Sequence, residues 1–290
     1  MSMFLQLTAA GLSMGLIYAM LSMGLILLLR AVGVLNFAQG SFLVLGAYTF
    51  YYVFGKMKVT GIPGLIIMAL FFVAFGALFM FTCYWPMRNT KWLPSLMITT
   101  MGASTVITEL CLIICGSRRQ TMAPIIPGAL KIGSFILQYQ YIVIFFVCIV
   151  IMLAVYVLFE KLYVGRAMAA ASQNKYAATL IGIPTMITVM ATYMIVMLVA
   201  GFAGYLVAPI FFVRTTLSNF QTKAFAGIVL GGFGNLGGAI VGSILIGLIE
   251  SYSSYITTTY KDVVVYGVLL LVLIFRPQGL FSGVLHANKA

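Results

Sequence analysis

Acidic side chains are almost missing from this sequence. Only Glu109, Glu160, Glu250 and Asp262 occur in 290 residues, against 16 Lys and Arg, which leaves a formal net charge of +12. Charged residues of either sign make up 7% of the chain, while 63% is hydrophobic. A water-soluble globule of this size needs more polar surface than that, so the chain belongs in a membrane. The shortage of acids also weakens any scheme of proton or sodium coupling, which relies on carboxylates within the spans. Histidine is nearly absent too. His286, in the polar tail "SGVLHANKA", stands alone, and without a second base, an acid pair or a cysteine–base arrangement no hydrolytic or redox site can be assembled. The four cysteines all fall within apolar runs, where a thiol acts as a small hydrophobe. Cys111 and Cys115 share a helix face, but no neighbouring ligand completes a metal shell. The cations form no basic stripe and no nucleic-acid module, so anionic lipid or an acidic partner fits them better than nucleic acid.

What is present is a succession of apolar runs parted by charge, proline or glycine. They cover Leu5 to Leu29, Val34 to Phe54, Gly64 to Trp85, Ser95 to Cys115, Tyr139 to Phe159 and Met186 to Val213, then Lys223 to Gly234, Gly238 to Ile256 and Asp262 to Phe275. The expectation is an all-α, polytopic bundle forming a single transmembrane domain over residues 1–290, with eight full helices. Lys223 to Gly234 is a short or re-entrant ninth, because a dozen residues rise only about 18 Å against a core of about 30 Å. The opening "MSMFLQLTAAGLSMGLIYAM" has no cationic leader and is expected to be a retained first helix. Charge does not orient the bundle, since its 16 cations divide equally between the two sets of loops. Small residues at helical spacing, such as Gly11 with Gly15 and Gly238 with Gly242, predict close helix packing.

Four polar features interrupt this pattern. "GRAMAAASQNKYAATLIGIPT", Gly165 to Thr185, is too polar to span and is rich in helix formers up to Pro184. It is either an interfacial connector or a docking helix for a soluble partner. "GVLNFAQGSF" sets Asn36, Gln39 and Ser41 in an apolar run, flanked by Gly33 and Gly40. Buried amides need partners, so these residues either bond neighbouring helices or form a polar station on a solute path, where a broken helix would offer backbone groups to a zwitterion. "GIVLGGFGNLGGAIVG" carries too many glycines for a continuous helix and lacks the Lys and Ser/Thr of a phosphate loop. A turn near Gly232 with Asn235 at its tip fits it, as a gate or a second docking point. Finally, Glu109 sits well inside a predicted span together with the hydroxyls of Thr100 and Ser104. It has three possible roles: pairing with Arg118 or Arg119, bonding locally while protonated, or meeting a substrate ammonium group.

The first of these stretches resembles the coupling loop of the branched-chain amino acid permeases of ABC importers, the LivH/LivM-type family. Gly165, Arg166, Asn174, Ala178, Gly182 and Ile183 match its pattern. "GLIYAMLSMGLILLLRAVGVLNFAQGSFLVLGAY", "KAFAGIVLGGFGNLGGAIVGSILIGLIES" and "FRPQGLF" resemble the LivH branch in the same order along the chain. Asn174 and Gln39 replace an acid and a histidine usual in that family. The resemblance implies a permease subunit without catalysis or a cofactor of its own, in which ATP is bound by two partner ATPases that grip Gly165 to Ile183. It also implies a second permease subunit, LivM-like or a copy of this chain, and an external substrate-binding protein. The membrane would be the bacterial or archaeal cytoplasmic membrane, with the coupling segment and "RPQGLFSG" inside and the amino terminus outside. Branched-chain amino acids are the solutes that the resemblance implies first; related permeases carry other amino acids, urea or short amides. The competing expectation is a stand-alone secondary transporter or channel. A membrane enzyme lacks the necessary groups.

Overall fold

The computed structural model describes the chain except at positions 1, 89, 91, 93, 117, 119, 133, 134, 174 and 282–290. The first helix, α1, runs Ser2–Val32 and ends where Gly33 adopts a φ of +80°, a left-handed geometry that only glycine takes without strain. Helix α2 spans Gln39–Phe50 and is prolonged by a π-helical turn, Tyr51–Lys56, closed by the Met57 N–H on the Tyr52 carbonyl at 2.8 Å. Helix α3, Ile62–Phe79, opens with proline in its first turn and ends in a second π-helical turn, Met80–Tyr84. Helix α4 covers Pro94–Cys115. An antiparallel hairpin follows, β1 (Ala129–Ile132) and β2 (Phe135–Gln138), with Ala129 opposite Gln138. Next come α5 (Tyr139–Tyr156), a third π-helical turn (Val157–Lys161), and the short helices α6 (Tyr163–Gln173) and α7 (Lys175–Leu180). The chain continues through α8 (Thr185–Val207), α9 (Phe220–Gly231), α10 (Leu236–Ile256) and α11 (Lys261–Phe275).

Among the described residues six helices are long and apolar enough to cross a membrane: α1, α3, α4, α5, α8 and α10, with α3 and α5 counted together with their π-helical turns. Two of the eight helices expected to span fall short of a full span, although α11 keeps the expected bounds within a residue. The run expected from Val34 begins as helix only at Gln39, because residues 33–38 are not helical. Helix α11 has 15 residues, a rise of about 22 Å.

The chain divides into two compact units. One contains the chain up to Ile26, Ile125–Cys148 and the chain from Phe220; the other contains Leu27–Pro124 and Ile149–Asn219. In the first, α9 and α10 meet backbone to backbone. A methyl group added at Gly242 would enter the backbone of Gly227 and Gly231, and one at Gly15 would lie 2.6 Å from the Ile244 Cα. Ser22 joins this seam, with its Oγ 2.8 Å from the Ala224 carbonyl and 2.6 Å from the Ser243 Oγ. In lipid, where apolar burial does not favour a neighbouring helix over an acyl chain, such close approach and cross-helix bonding supply the packing energy. In the second unit, α2 lies on α8 in the same way: a side chain at Gly204 would collide with the Leu43 carbonyl. Edge-to-face rings, Phe42 on Phe79 at 4.9 Å and Phe50 on Tyr205 at 4.5 Å, fill the space beside that contact.

Candidate functional site

The non-helical stretch between α1 and α2 gathers polar groups out of solvent. Asn36, Gln39, Ser41 and Thr100 are all buried, Gln39 and Ser41 completely. Several of their atoms are bonded locally. The Asn36 Oδ1 accepts the Ala38 N–H at 2.9 Å, and the Ser41 hydroxyl donates to the Ala38 carbonyl at 2.7 Å. Thr100 on α4 closes the break from the side, accepting the Phe37 N–H at 3.1 Å while it donates to the Met97 carbonyl. Three amide atoms are left over: among the described residues the Asn36 Nδ2 and both the Nε2 and Oε1 of Gln39 have no hydrogen-bond partner. An unmet buried polar group costs about 1–3 kcal/mol. The break therefore holds two sets of donors and one acceptor, uncharged and unanswered, beside the first turn of a helix. Gly40, in that first turn, is buried with them.

The other path residues are placed differently. Ser104 is half-buried one turn beyond Thr100, and Glu109 is exposed. Thr100 and Glu109 are about two and a half turns apart and so face opposite ways, which separates the carboxylate from the amides. Among the described residues Glu109 forms no ion pair. Gly232 and Asn235 belong to the first unit. There Gly232 and Gly234 both take positive φ, +108° and +85°, and turn the chain from α9 into α10. Asn235 caps α10, its Oδ1 accepting the Gly238 N–H at 3.1 Å, and its Nδ2 donates to the Phe281 carbonyl at 3.0 Å. The segment quoted above as "FRPQGLF" thus folds onto the glycine turn, with the Leu280 N–H on the Leu230 carbonyl and the Phe281 N–H on the Gly231 carbonyl.

The coupling candidates form a pair of short helices. At 11 and 6 residues, α6 and α7 rise about 16 and 9 Å and are too short to span. Gly165 lets α6 pack against the preceding π-helical turn, since a side chain there would strike the Phe159 backbone. Arg166 is exposed, and Asn174 lies outside the described residues. Helix α7 ends in a Schellman motif: the Gly182 N–H bonds the Thr179 carbonyl at 3.0 Å and the Ile183 N–H bonds the Ala178 carbonyl at 2.9 Å, with Gly182 at φ +83°. Ala171, Ala178 and Ile183 form a small buried core against Ala167 and Ala170. At the end of α7, Leu180 and the following Ile181 project outward, 70% and 73% exposed. At the start of this region Glu160 bonds Arg30 at 2.6 Å, three residues before the glycine that ends α1.

A fourth feature was missed in the sequence, which singled out Glu109 as the acid within a span. The buried acid is Glu250, on α10 and 8% exposed. It accepts the Tyr18 hydroxyl at 2.6 Å, pairs with the buried Lys223 of α9 and lies 3.2 Å from the Lys261 Nζ; Lys223 also reaches Asp262 at 3.1 Å. Glu250 falls inside a run that hydropathy marks as a span, and two cations flank the neighbouring runs. That was the available signal.

The model of the family described as "Branched-chain amino acid transport system / permease component" matches residues 7–273. The chain belongs to that family. The permease is 31% identical over 295 residues to the high-affinity branched-chain amino acid transport system permease protein LivH of Escherichia coli, covering 96% of each chain. It is 28% identical to BraD of Pseudomonas aeruginosa, again over 96% of each, and 26% identical to a probable LivH of Methanocaldococcus jannaschii over 85% of this chain and 82% of that one. Its fold is similar to that of a chain in "PsaBC from Streptococcus pneumoniae in complex with Fab", with a TM-score of 0.53 at 12% identity, covering 96% of this chain and 93% of that one. This is a transport family rather than an enzyme family. The permease is a multi-pass membrane protein, and the family implies ATPase partners and a second permease subunit.

Proposed function

We propose that this permease moves branched-chain or related small amino acids, or amide-like solutes such as urea, into the cytoplasm across the bacterial or archaeal cytoplasmic membrane. An external binding protein delivers the solute. The chain itself needs no cofactor, because ATP is bound by two partner ATPases. The solute class rests on the names of the relatives.

The observation that carries the energising step is the α6–α7 pair. A segment outside the spans, capped by its own Schellman motif and stiffened by an alanine core, presents two bare aliphatic side chains at Leu180 and Ile181. A soluble partner can grip such a knob, and hydrogen-bonded helices pass on displacement with little bending. Gly165, Arg166, Asn174, Ala178, Gly182 and Ile183 make up this coupling element. Its motion reaches the solute station along two routes: through α8, on which α2 lies, and through the Glu160–Arg30 pair at the end of α1.

The station is the α1–α2 break. Asn36, Gln39, Gly40 and Ser41, with Thr100 and Ser104 on α4, offer neutral donors and acceptors to a solute that passes once the bundle opens. The turn at Gly232 and Asn235 acts as the cytoplasmic gate.

The deciding experiment is uptake of labelled leucine into vesicles that hold the complete transporter. Uptake should require ATP, the binding protein and both ATPases. Accumulation by this chain alone under a proton gradient would replace the proposal with a secondary transporter.

A further inference from the structure

Arg214 carries a charge that the chain does not answer. It follows α8, just before the short helical turn Thr215–Asn219, and its side chain is half-buried. Its Nε is shielded from solvent and has no hydrogen-bond partner among the described residues. A guanidinium drawn out of water ordinarily takes a carboxylate, which its planar fork matches with two parallel hydrogen bonds. The chain has four side-chain carboxylates. Glu160 is held by Arg30, Glu250 by Lys223 and Lys261, and Asp262 by Lys223. Glu109 forms no ion pair among the described residues, so none of the four meets Arg214.

The backbone fixes where this cation stands. Val213 bridges Gln120, with the Val213 N–H on the Gln120 carbonyl at 3.0 Å and the Gln120 N–H on the Val213 carbonyl at 3.4 Å. Gln120 lies shortly beyond Cys115, the last residue of α4. The turn Thr215–Asn219 packs on α2 and α4, the two helices that frame the amide break. The Tyr52 hydroxyl donates to the Ile114 carbonyl at 3.4 Å and brings the far end of α2 to the same place, where Lys56, Lys58 and Arg118 are exposed. Against these cations the adjoining part of α4 sets one acid, Glu109, so this end of the unit attracts anions. Thr100 and the break lie roughly 22 Å back along α4. The Glu160–Arg30 pair ties the coupling region to the break end. Arg214 therefore stands at the other end, where an imported solute enters.

We propose that Arg214 reads the carboxylate of the entering solute and so selects amino acids over urea and neutral amides before they reach the uncharged station. The inference rests on the proposed function for the direction of travel and for the choice of candidate solutes. The amides of Asn36 and Gln39 carry no charge, so the station alone cannot demand an ionised group. Arg214 can: a carboxylate fills its fork and neutralises it, whereas a carboxamide offers one acceptor oxygen and no counter-charge. A site built to pair a buried polar group rejects the analogue that leaves the group unpaired. An acidic side chain of the binding protein is the other source of a carboxylate, and the test separates the two.

The test is protection from phenylglyoxal, which condenses with accessible guanidinium groups, in the complete transporter held in nanodiscs without binding protein. Peptide mass spectrometry reads the adduct at each arginine. Leucine at millimolar concentration should lower the Arg214 adduct several-fold and leave that of Arg118 unchanged, while leucinamide and urea should protect neither. No protection by leucine, or equal protection by leucinamide, would overturn the proposal. Protection by empty binding protein in the absence of leucine would assign Arg214 to docking and overturn it as well. Arg214→Gln gives an independent readout: leucine uptake should fall about tenfold, as the loss of a charge-assisted hydrogen bond predicts, while the binding protein still stimulates ATP hydrolysis. Arg214→Lys, which keeps the charge without the fork, should recover part of the uptake. Parental uptake in Arg214→Gln, or loss of the ATPase stimulation with it, would count against the inference, and if that variant fails to assemble the labelling of the parent decides alone. Labelling reports occupancy rather than transport. Protection by leucine without ATP-driven uptake would therefore sink the importer reading alone, while ATP-driven uptake without protection would sink the role of Arg214 alone.

Discussion

Two buried polar regions of this permease are built on opposite rules. In the Lys223–Glu250 cluster, full charges are taken out of water and almost every one is answered: the Glu250 carboxylate receives Tyr18, Lys223 and Lys261, and Lys223 also holds Asp262. In the α1–α2 break no group is charged, yet three amide atoms of Asn36 and Gln39 go unanswered. A saturated ionic cluster resists rearrangement, because separating any pair strands a charge in a low-dielectric interior. An unsaturated amide site does the reverse, since any arrangement that brings a partner to it gains a hydrogen bond. The first region holds helices together, and the second is ready to exchange partners with a passing solute.

The sharpest way to break this contrast is to strand a charge. Lys223→Met leaves Glu250 with only the partly exposed Lys261 and a phenol, and should cost about 3–5 kcal/mol, as removal of one member of a buried pair does. The midpoint of thermal unfolding in lipid nanodiscs should fall steeply. Adding Glu250→Leu should recover much of the loss. A single variant as stable as the parent would mean that the cluster bears no load.

The amide break should answer with the opposite sign. Gln39→Leu removes two unmet polar atoms and inserts a side chain of similar volume, so stability should hold or rise by up to about 1–3 kcal/mol while leucine uptake collapses. If uptake persists, the amides are merely tolerated defects and the contrast dissolves.

How much of this could be read in the sequence depends on whether the relevant neighbour is near along the chain. The helical bundle follows from apolar run length, and the breaks at Gly33 and Gly232 follow from glycines beside amides. The end of α7 could be read from Gly182, Ile183 and Pro184, because a Schellman cap is a local device. The ionic cluster could not be read that way: Lys223, Glu250 and Asp262 lie on three helices, and nothing local to any of them names the others. Glu109 was legible as an unusual residue but not as an outward one, since its direction depends on which face of α4 the rest of the chain covers. The shortness of α2 had a similar cause. Hydropathy counts residues 34–38 as span, whereas the backbone turns there to serve the amides.

Between the two regions lies the question of how force arrives. Gly182→Val puts a β-branched residue at φ +83°, a strain of about 1–2 kcal/mol, and should loosen the cap of α7 without touching either polar region. ATP hydrolysis by the reconstituted complex should continue while uptake per ATP falls. An unchanged ratio would remove α7 from the coupling route.

The smallest effect is expected where the link is most exposed. Arg30 and Glu160 are each about a third open to solvent, and such a pair contributes about 0–1 kcal/mol, so Arg30→Gln should leave the unfolding midpoint almost unchanged. The pair nevertheless joins the start of the coupling region to the last turn of α1, three residues before the backbone bends at Gly33. If force enters the amide break along α1, Arg30→Gln should lower uptake per ATP in spite of its negligible effect on stability, and added salt should reproduce part of that loss in the parent by screening the pair. Exchanging the two charges, Arg30→Glu with Glu160→Arg, should restore the ratio. Should the exchange restore nothing, displacement reaches the break through α8 alone, and the buried seam of α2 on α8 becomes the single mechanical path between the ATPases and the solute.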